Sequence, residues 1–510
     1  MFSANKNSLL KTNNNFLNPI IWLFFVLYIV ALIYNISHHQ LWGDELHSWN
    51  IAKGSTTLLN VVYNTRYEGH PPLWCIMLWG ISKFSHNIFY MQLLQAIIAV
   101  LVVFIILFYA PFATTTKALI PFGYFFVFEY GVLSRNYAIG ILLCLLICII
   151  INREFKYKIV IYYLLLFLLS NVHLLSLILA ACLHLYFLLG LLQKKQYKHL
   201  ALHMALGLVV LLPSVYFIIP PAESELNTGF MMRHLEKGRA SRILQLPLRA
   251  FIPIPEWWQL HFWNTHFLLG IGNSYRALKL LYPIASCATA TLAFLVLKKD
   301  WKTMLMFGAN LLASIVVTFV FFPLNTERYC GFVFISFLVC IWLYDYKKGM
   351  DNGKKNIVTI LLCLQLVGGL IVTVQTTRYH FSNANKVGEV LSKVPDHEKV
   401  VTDYWALNTV SAYIDKPFYC VDLQKEASFI LWGADMKELN AYPYRYCRGS
   451  ANLMQQNNIK YFYMVSTASL NMLPTADTKF LTSFHVELIY KIDGAIEPSG
   501  NLYLYKISGL

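Results

Sequence analysis

The sequence predicts an α-helical protein that crosses a membrane many times and ends in a small α/β domain. Of its 510 residues, 57% are hydrophobic and only 13% are charged, whereas about a quarter of an average soluble domain is charged. Several apolar runs approach the roughly 20 residues that cross a bilayer. From residue 377 the chain becomes far more polar. This composition excludes a soluble enzyme, a disordered chain and a typical nucleic-acid-binding protein.

The N-terminus predicts a membrane helix and not a cleavable signal. Residues 1–18 are polar and rich in asparagine, with lysines at positions 6 and 11. The apolar run 19–36 is longer than a typical signal-peptide core, and no small-residue cleavage site follows it. We therefore interpret this run as the first membrane helix, beginning in the cytoplasm.

Lysine-rich loops set the predicted topology, and they account for the net charge of +15 without a nucleic-acid partner. Short basic loops stay in the cytoplasm, and a chain in lipid must satisfy its backbone as helix. Eleven helices from a cytoplasmic start put the C-terminus outside. The predicted spans are about 19–36, 88–109, 117–133, 136–152, 158–172, 174–192, 200–220, 276–297, 303–322, 329–345 and 356–376.

The run 71–84 is short for a span, so we place it in the membrane interface as an amphipathic helix. If it crosses the bilayer instead, another helix must be gained or lost before Arg153.

Two domains follow from this topology. Residues 1–376 form a transmembrane module with long outer loops at about 37–87 and 221–275, and residues 377–510 form an extracytoplasmic α/β domain. Strand-like runs in this tail lie at 399–401, 418–421, 461–465, 486–489 and 502–505. A disulfide between Cys420 and Cys447 is left open, because spacing alone does not fix it.

The first outer loop carries Asp44 and Glu45 directly after a membrane helix. Acidic residues beside a membrane are candidates for function, although a solvated acidic loop is the alternative. Further along, Pro71 after His70 interrupts any preceding helix. That break would fix His70 and Glu68 near the acidic pair, or it forms only a turn.

Three more polar positions lie on predicted outward hairpins. Arg135 carries a guanidinium that suits a phosphate or carboxylate, and the alternative is an ion pair with Glu129. His173 ends the fifth helix and is either a site residue or a core histidine. Arg328, followed by Tyr329, is the second candidate for anion binding.

The second long loop is basic and aromatic, which fits contact with anionic lipid headgroups or charge exposed to solvent. Its basic residues are Arg233, His234, Lys237, Arg239, Arg242 and Arg249.

Taken together, the motifs resemble those of the membrane-embedded GT-C glycosyltransferases. The similar branch is bacterial and includes protein mannosyltransferase-like enzymes, the lipid A aminoarabinose transferase and rhizobial lipopolysaccharide-core transferases. The resemblance covers the layout of about 19–345, with a polar domain after it. It implies that Asp44 is the catalytic carboxylate, with Glu45 beside it, and that the donor is a polyprenyl-phosphate sugar at the outer leaflet. The motifs are Asp44-Glu45, His70-Pro71-Pro72-Leu73, Ser134-Arg135-Asn136-Tyr137 and Arg328-Tyr329.

The chemistry of such a transfer fits the same residues. The sugar passes through an oxocarbenium-like state, and the leaving phosphate gains negative charge that preorganised cations stabilise. We expect Arg66, Arg135 or Arg328 to supply that charge. A positioned carboxylate acting as base contributes roughly 10²–10⁴-fold, and a single displacement predicts inversion at the sugar carbon. We assign the base to Asp44.

The remaining candidates bind the donor or the acceptor. We place Glu68, His70, Tyr137, His173 and Tyr329 in this group. His70 or His173 would orient the acceptor or help to hold a metal. Two carboxylates and two histidines suit a divalent ion, but none has a metal-ligand spacing, so the metal stays unknown and no cofactor is assigned.

The predicted function is therefore an inverting glycosyltransferase of the bacterial inner membrane, with the C-terminal domain in the periplasm. Its partners are a polyprenyl-phosphate sugar donor, an extracytoplasmic acceptor and the lipid bilayer, with no nucleic acid. The competing class is a transporter or flippase for lipid-linked sugars, which would need charged residues deep in its helices and pseudo-symmetric halves. A third class, a membrane scaffold with an outer binding domain, leaves the acids and arginines on four hairpins unexplained.

Overall fold

The structure is a computed structural model that describes residues 15–222, 224, 239–320, 326–431, 445–470 and 478–509. The protein is an α-helical, multi-pass membrane protein with a small C-terminal sheet domain, which confirms the predicted fold class. It divides into two compact units. The transmembrane unit takes the described residues of 1–37, 93–218 and 230–375, and the loop–tail unit takes those of 38–92, 219–229 and 376–510.

Sixteen helices precede the sheet domain in the described part of the chain. They are α1 (Pro19–His38), α2 (Gly43–Gly54), α3 (Leu58–Tyr67), α4 (Leu73–Ser82), α5 (Phe89–Tyr109), α6 (Thr114–Leu119), α7 (Tyr137–Ile151), α8 (Lys158–Ser170), α9 (Leu174–Gln193), α10 (Tyr197–Ile218), α11 (Arg239–Phe251), α12 (Phe267–Ser274), α13 (Leu281–Leu297), α14 (Trp301–Val320), α15 (Glu327–Lys348) and α16 (Asn352–Arg378).

Eight of the described helices are long and apolar enough to cross a membrane. They are α1, α5, α9, α10, α13 with the 3₁₀ turn before it, α14, α15 and α16. Two further predicted spans, 136–152 and 158–172, are the shorter apolar helices α7 and α8, of 15 and 13 residues. Helix length and composition therefore support eight of the eleven predicted crossings.

The prediction of one continuous helix over 117–133 is wrong. The segment instead forms α6, a 3₁₀ turn at Ile120–Phe122 and one π-helical turn at Phe125–Glu129. Pro121 has no backbone N–H to continue an α-helix. A methyl group on Gly131 would lie 2.2 Å from the Phe126 carbonyl oxygen, so the chain folds back tightly after the π turn. Apolar composition alone did not reveal this break.

Helix α15 forms the core of the transmembrane unit, because its residues from Cys330 to Tyr344 are all buried. Gly331 in its first turn permits a close approach of the π-turn segment. A Cβ there would lie 2.3 Å from the Tyr130 hydroxyl and 2.4 Å from the Phe125 ring. This packing places the start of α15 against the chain around Tyr130.

The first outer loop is helical, which its sequence did not indicate. Helix α2 packs against α4, and α3 connects the two. The predicted interfacial helix over 71–84 corresponds to α4; its position in the interface stays a prediction.

In its described residues, the C-terminal domain has four α-helices and a six-stranded sheet. Its elements are α17 (Val387–Leu391), β1 (Val400–Thr402), α18 (Tyr404–Ile414), β2 (Phe418–Cys420), β3 (Lys425–Ala427), α19 (Arg445–Asn457), β4 (Tyr461–Ser466), α20 (Thr478–Ser483), β5 (Phe484–Ile492) and β6 (Leu502–Gly509).

The strand order is β3-β2-β1-β4-β6-β5, with β1 parallel to both β2 and β4 and the other pairs antiparallel. All five predicted strands are present, and β3 was not predicted. Alternate residues of β4 enter separate cores, Phe462 with α19 and Tyr463 with α17 and α18. Helices therefore cover both faces. Cys420 is a buried free thiol, so the structure does not contain the disulfide with Cys447 that the sequence left open.

Candidate functional site

The two adjacent acids of the first loop have different environments. Both lie in the first turn of α2. Glu45 is completely buried, and one carboxylate oxygen lies 2.9 Å from His39 Nε2 and accepts the Trp42 backbone N–H at 3.1 Å. Asp44 is half-buried. Glu45 thus anchors the start of the helix, and Asp44 is the acid of the pair that retains exposed surface.

A histidine that sequence reasoning did not select lies one turn after Asp44. His47 Nε2 is 2.8 Å from Glu68 Oε2, and His47 Nδ1 is 3.2 Å from Asn408 Oδ1. Burial lowers the His47 pKa, but the nearby charge of Glu68, hydrogen bonds with Glu68 and Asn408, and the charge of Asp44 outweigh it, so the net pKa is raised. The only sequence signal was its spacing of three residues from Asp44.

Glu68, Arg66 and His70 share the corner between α3 and α4. Arg66 lies in the last turn of α3, and Glu68 caps that helix. The predicted break at the Pro71-Pro72 pair is present, since α3 ends at Tyr67 and α4 begins at Leu73. The structure brings Glu68 to α2 through His47. Arg66 and His70 are both half-buried in this corner.

A second group of predicted residues gathers in the transmembrane unit. The Tyr137 ring centroid lies 5.0 Å from that of His173 and 6.5 Å from that of Tyr329. The Phe332 ring, one turn into α15, lies 4.6 Å from His173. The His173 side chain also caps α9 by accepting the Ser176 backbone N–H at 3.2 Å. Three residues far apart in sequence therefore form one aromatic cluster.

Arg328 lies at the edge of this cluster. Its guanidinium carbon is 5.2 Å from the Tyr329 ring and 5.7 Å from the Trp263 ring. The Trp263 indole N–H donates to Glu129 at 3.1 Å, and the Tyr130 hydroxyl donates to the Arg328 carbonyl at 2.8 Å. Both distances are within the range of a cation–π contact, and a guanidinium suits recognition of a phosphate.

Glu129 and Arg249 are both buried. The sequence placed Arg249 in a loop that contacts lipid headgroups or solvent, and its burial shows that this interpretation is wrong for Arg249. The Glu129 carboxylate accepts hydrogen bonds from Tyr124 and Trp263. Arg249 forms a buried ion pair with Glu327. Arg135 is half-buried in the turn before α7, where its backbone N–H donates to the Leu133 carbonyl at 2.8 Å.

Three residues of the long basic loop, Arg233, His234 and Lys237, lie outside the described residues. Within the described ranges, no three His, Cys, Asp or Glu side chains are grouped closely enough to hold a metal ion.

Comparison with solved structures identifies the fold. The structure of ArnT from Cupriavidus metallidurans in the apo state superposes with a TM-score of 0.52 over 95% of this chain and 97% of that chain, at 12% identity. ArnT is a GT-C lipid A aminoarabinose transferase. The chain has a GT-C-like fold. The structure of ArnT bound to undecaprenyl phosphate matches this GT-C-like protein with a TM-score of 0.53, at 11% identity and the same coverage.

Sequence comparison finds no relative of this chain: no family model matches it, and no curated protein is detectably similar. At these low identities the solved structures establish the fold alone.

Proposed function

We propose that the protein is an inverting membrane glycosyltransferase that moves a sugar from a polyprenyl-phosphate donor to an acceptor outside the cytoplasm. The observation that carries this proposal is the GT-C-like fold over 95% of the chain, matched to an ArnT structure that contains undecaprenyl phosphate. A polyprenyl phosphate is the donor that an enzyme within a bilayer can receive directly from the lipid phase. The sugar and the acceptor remain unassigned.

Asp44 is proposed as the general base. It is half-buried in the first turn of α2, where the helix dipole favours the ionised carboxylate. Glu45 is completely buried against His39 and the backbone at Trp42. These environments support one catalytic acid and one structural acid, so we propose that Glu45 positions the helix that carries Asp44.

Arg328 is proposed to bind the donor phosphate, with Arg135 and Arg66 as further candidates. The two aromatic rings beside the Arg328 guanidinium support a fixed orientation. A fixed cation stabilises the negative charge that develops on a leaving phosphate without reorganising during the reaction. Tyr137, His173 and Tyr329 are proposed to form an aromatic wall for the donor or acceptor.

The direct test is transfer by the purified protein in lipid nanodiscs. The substrates are undecaprenyl-phosphate sugars of several classes, including aminoarabinose, hexoses and pentoses, mixed with a membrane-lipid and glycan acceptor panel. Mass spectrometry measures release of undecaprenyl phosphate, and NMR of the product gives the anomeric configuration. We expect release that depends on the acceptor, with inversion at the sugar carbon.

The matched variants are Asp44→Asn and Asp396→Asn, the second at an exposed position of the tail. Asp44→Asn should lower kcat by roughly 10²-fold or more, the contribution of a positioned base, and Asp396→Asn should leave it unchanged. Equal activity in both variants would remove Asp44 from the base role. Movement of intact lipid-linked sugar between leaflets, without its cleavage, would instead favour the transporter.

A further inference from the structure

One face of α2 forms a ladder of polar contacts with α18 inside the loop–tail unit. His47, Asn50 and Lys53 are spaced three residues apart, so they follow one another along the helix. Asn50 Nδ2 donates to the Asn408 carbonyl at 2.8 Å and to the Ser428 carbonyl at 3.0 Å. Lys53 Nζ lies 2.7 Å from Asp415 Oδ1. The first outer loop is therefore bound directly to the C-terminal domain.

Asn408 takes part in two contacts of this ladder, one with His47 and one with Asn50. Its side-chain oxygen lies 3.2 Å from His47 Nδ1, and its backbone carbonyl accepts from Asn50. It is a residue of α18, and α18 packs on the sheet through Leu407 and Val410. The sheet domain thus provides a rigid support for α2. A helix of 12 residues is only marginally stable by itself, so its direction depends on such contacts.

Asp44 occupies the next position on the same row, three residues before His47. His47 also contacts Glu68 at the end of α3 through its other ring nitrogen, at 2.8 Å. The imidazole therefore connects three elements: α2, the corner after α3, and α18. A change in any of these contacts would tilt the first turns of α2 and move the Asp44 carboxylate.

From this ladder we infer that the C-terminal domain positions the helix that carries Asp44, with His47 as the positioning residue between Asn408 and Glu68. This inference rests on the proposed function only in giving Asp44 a catalytic role. It assigns the tail a task distinct from binding the acceptor. A misplacement of about 1 Å at a reacting group can cost roughly 10²-fold in rate.

Hydrogen–deuterium exchange of residues 43–54 tests the ladder without any substrate. The variant Asn408→Ala removes the side-chain contact with His47, and the matched control Asn385→Ala changes an exposed asparagine of the same domain. We expect roughly tenfold faster exchange in 43–54 for Asn408→Ala, as for loss of one net favourable hydrogen bond. The control should exchange like wild type. Unchanged exchange in Asn408→Ala would overturn the inference.

Two variants of His47 separate positioning from general stability. A glutamine amide can replace Nε2 toward Glu68, and an asparagine amide can replace Nδ1 toward Asn408. We expect both His47→Gln and His47→Asn to lower kcat at least tenfold per folded molecule, with the KM for the donor within about threefold of wild type. A merely structural role would reduce the yield of folded protein and leave kcat unchanged, which would overturn the inference.

The milder variant Asp415→Asn changes a half-exposed carboxylate and weakens its contact with Lys53, together with its contact with His86 outside α2. It keeps the test possible if Asn408→Ala fails to fold, and it should speed exchange near Lys53 more than near Asp44. Uniform exchange along α2 in this variant would contradict the ladder. If wild-type protein transfers no sugar, the proposed function fails, while the exchange measurements still decide whether the tail holds α2.

Discussion

At the scale of single residues, two neighbouring acids differ because the chain surrounds them differently. Glu45 accepts a backbone N–H and contacts a buried histidine, and Asp44 keeps part of its surface exposed. The sequence predicted that this dipeptide matters, since acids beside a membrane are costly. It could not divide the roles, because the partners of Glu45 follow from how His39 and Trp42 fold back on α2.

Glu45→Gln should therefore affect stability more than chemistry. The amide keeps the shape but loses the charge that faces His39, so we expect a loss of about 1–3 kcal/mol. Thermal unfolding in detergent measures this loss, and exchange in the first turn of α2 locates it. A kcat per folded molecule as low as that of Asp44→Asn would show that Glu45 acts in the reaction.

Arg328 gives a second prediction at this scale. Arg328→Ala and Arg328→Lys should both raise the KM for the polyprenyl-phosphate donor, by about tenfold or more for alanine, because lysine keeps the charge but not the planar fork. The KM for the acceptor should stay near wild type. The exposed Arg276 provides the control variant Arg276→Ala. Unchanged donor dependence in both Arg328 variants would argue against phosphate contact there.

At the scale of elements, the local apolar pattern of the sequence predicted most of the long apolar helices. Helices lie within a few residues of ten of the eleven predicted spans, and eight of these helices are long and apolar enough to cross a membrane. Helix α2 was not predicted, because Asn408, which contacts it, lies more than 350 residues away in sequence. The broken segment after α6 was also not predicted, since its apolar composition resembles that of a helix.

Gly331 permits the close packing between α15 and the π-turn segment. Gly331→Ala should destabilise the protein by about 1–3 kcal/mol, because the new methyl group would meet Tyr130 and Phe125 at under 2.5 Å. Tyr130 donates to the Arg328 carbonyl, so the KM for the donor should also rise. Gly308→Ala is the control, because its Cβ would meet Phe294 at an ordinary 3.7 Å. Equal stability of the two variants would contradict this account.

The attachment of α2 should depend on pH through His47. Its pKa is raised: burial lowers it, but the charge of Glu68 and two hydrogen bonds, with a smaller effect of Asp44, raise it more. A histidine with a higher pKa in the folded state stabilises that state below the unfolded pKa of about 6.5, and the effect is lost as pH rises through the folded pKa. Protection of residues 43–54, corrected for intrinsic exchange, should therefore fall as pH rises above 6.5.

Two variants test the source of this pH dependence. His47→Gln should flatten the profile, because glutamine does not titrate. His86→Gln should preserve it, although His86 also contacts Asp415 at 3.0 Å on the same unit. The Asp415 pKa is lowered: burial opposes this, but hydrogen bonds and charges of Lys53 and His86 outweigh it. The Asp415 carboxylate, which pairs with Lys53, therefore stays charged above pH 6.5. An unchanged profile in His47→Gln would exclude His47 as the titrating group.

At the scale of the whole molecule, composition and charge predicted a multi-pass membrane protein, and the structure confirms it. The side of the membrane that each loop occupies was inferred from lysine alone. Short basic loops between α9 and α10 and between α15 and α16 should lie in the cytoplasm. The C-terminal domain, which holds α2, should then lie outside, where the proposed donor and acceptor meet.

Thiol labelling in intact cells tests this topology. In a background without native cysteines, Glu487→Cys on the exposed edge strand β5 should react with a membrane-impermeant maleimide. Lys198→Cys, in the basic cluster at the start of α10, should react only after the inner membrane is permeabilised. Both positions are exposed, so access to the reagent and not burial decides the result. Labelling of position 198 alone in intact cells would reverse the orientation, and Asp44 would then face the cytoplasm together with the tail to which its helix is bound.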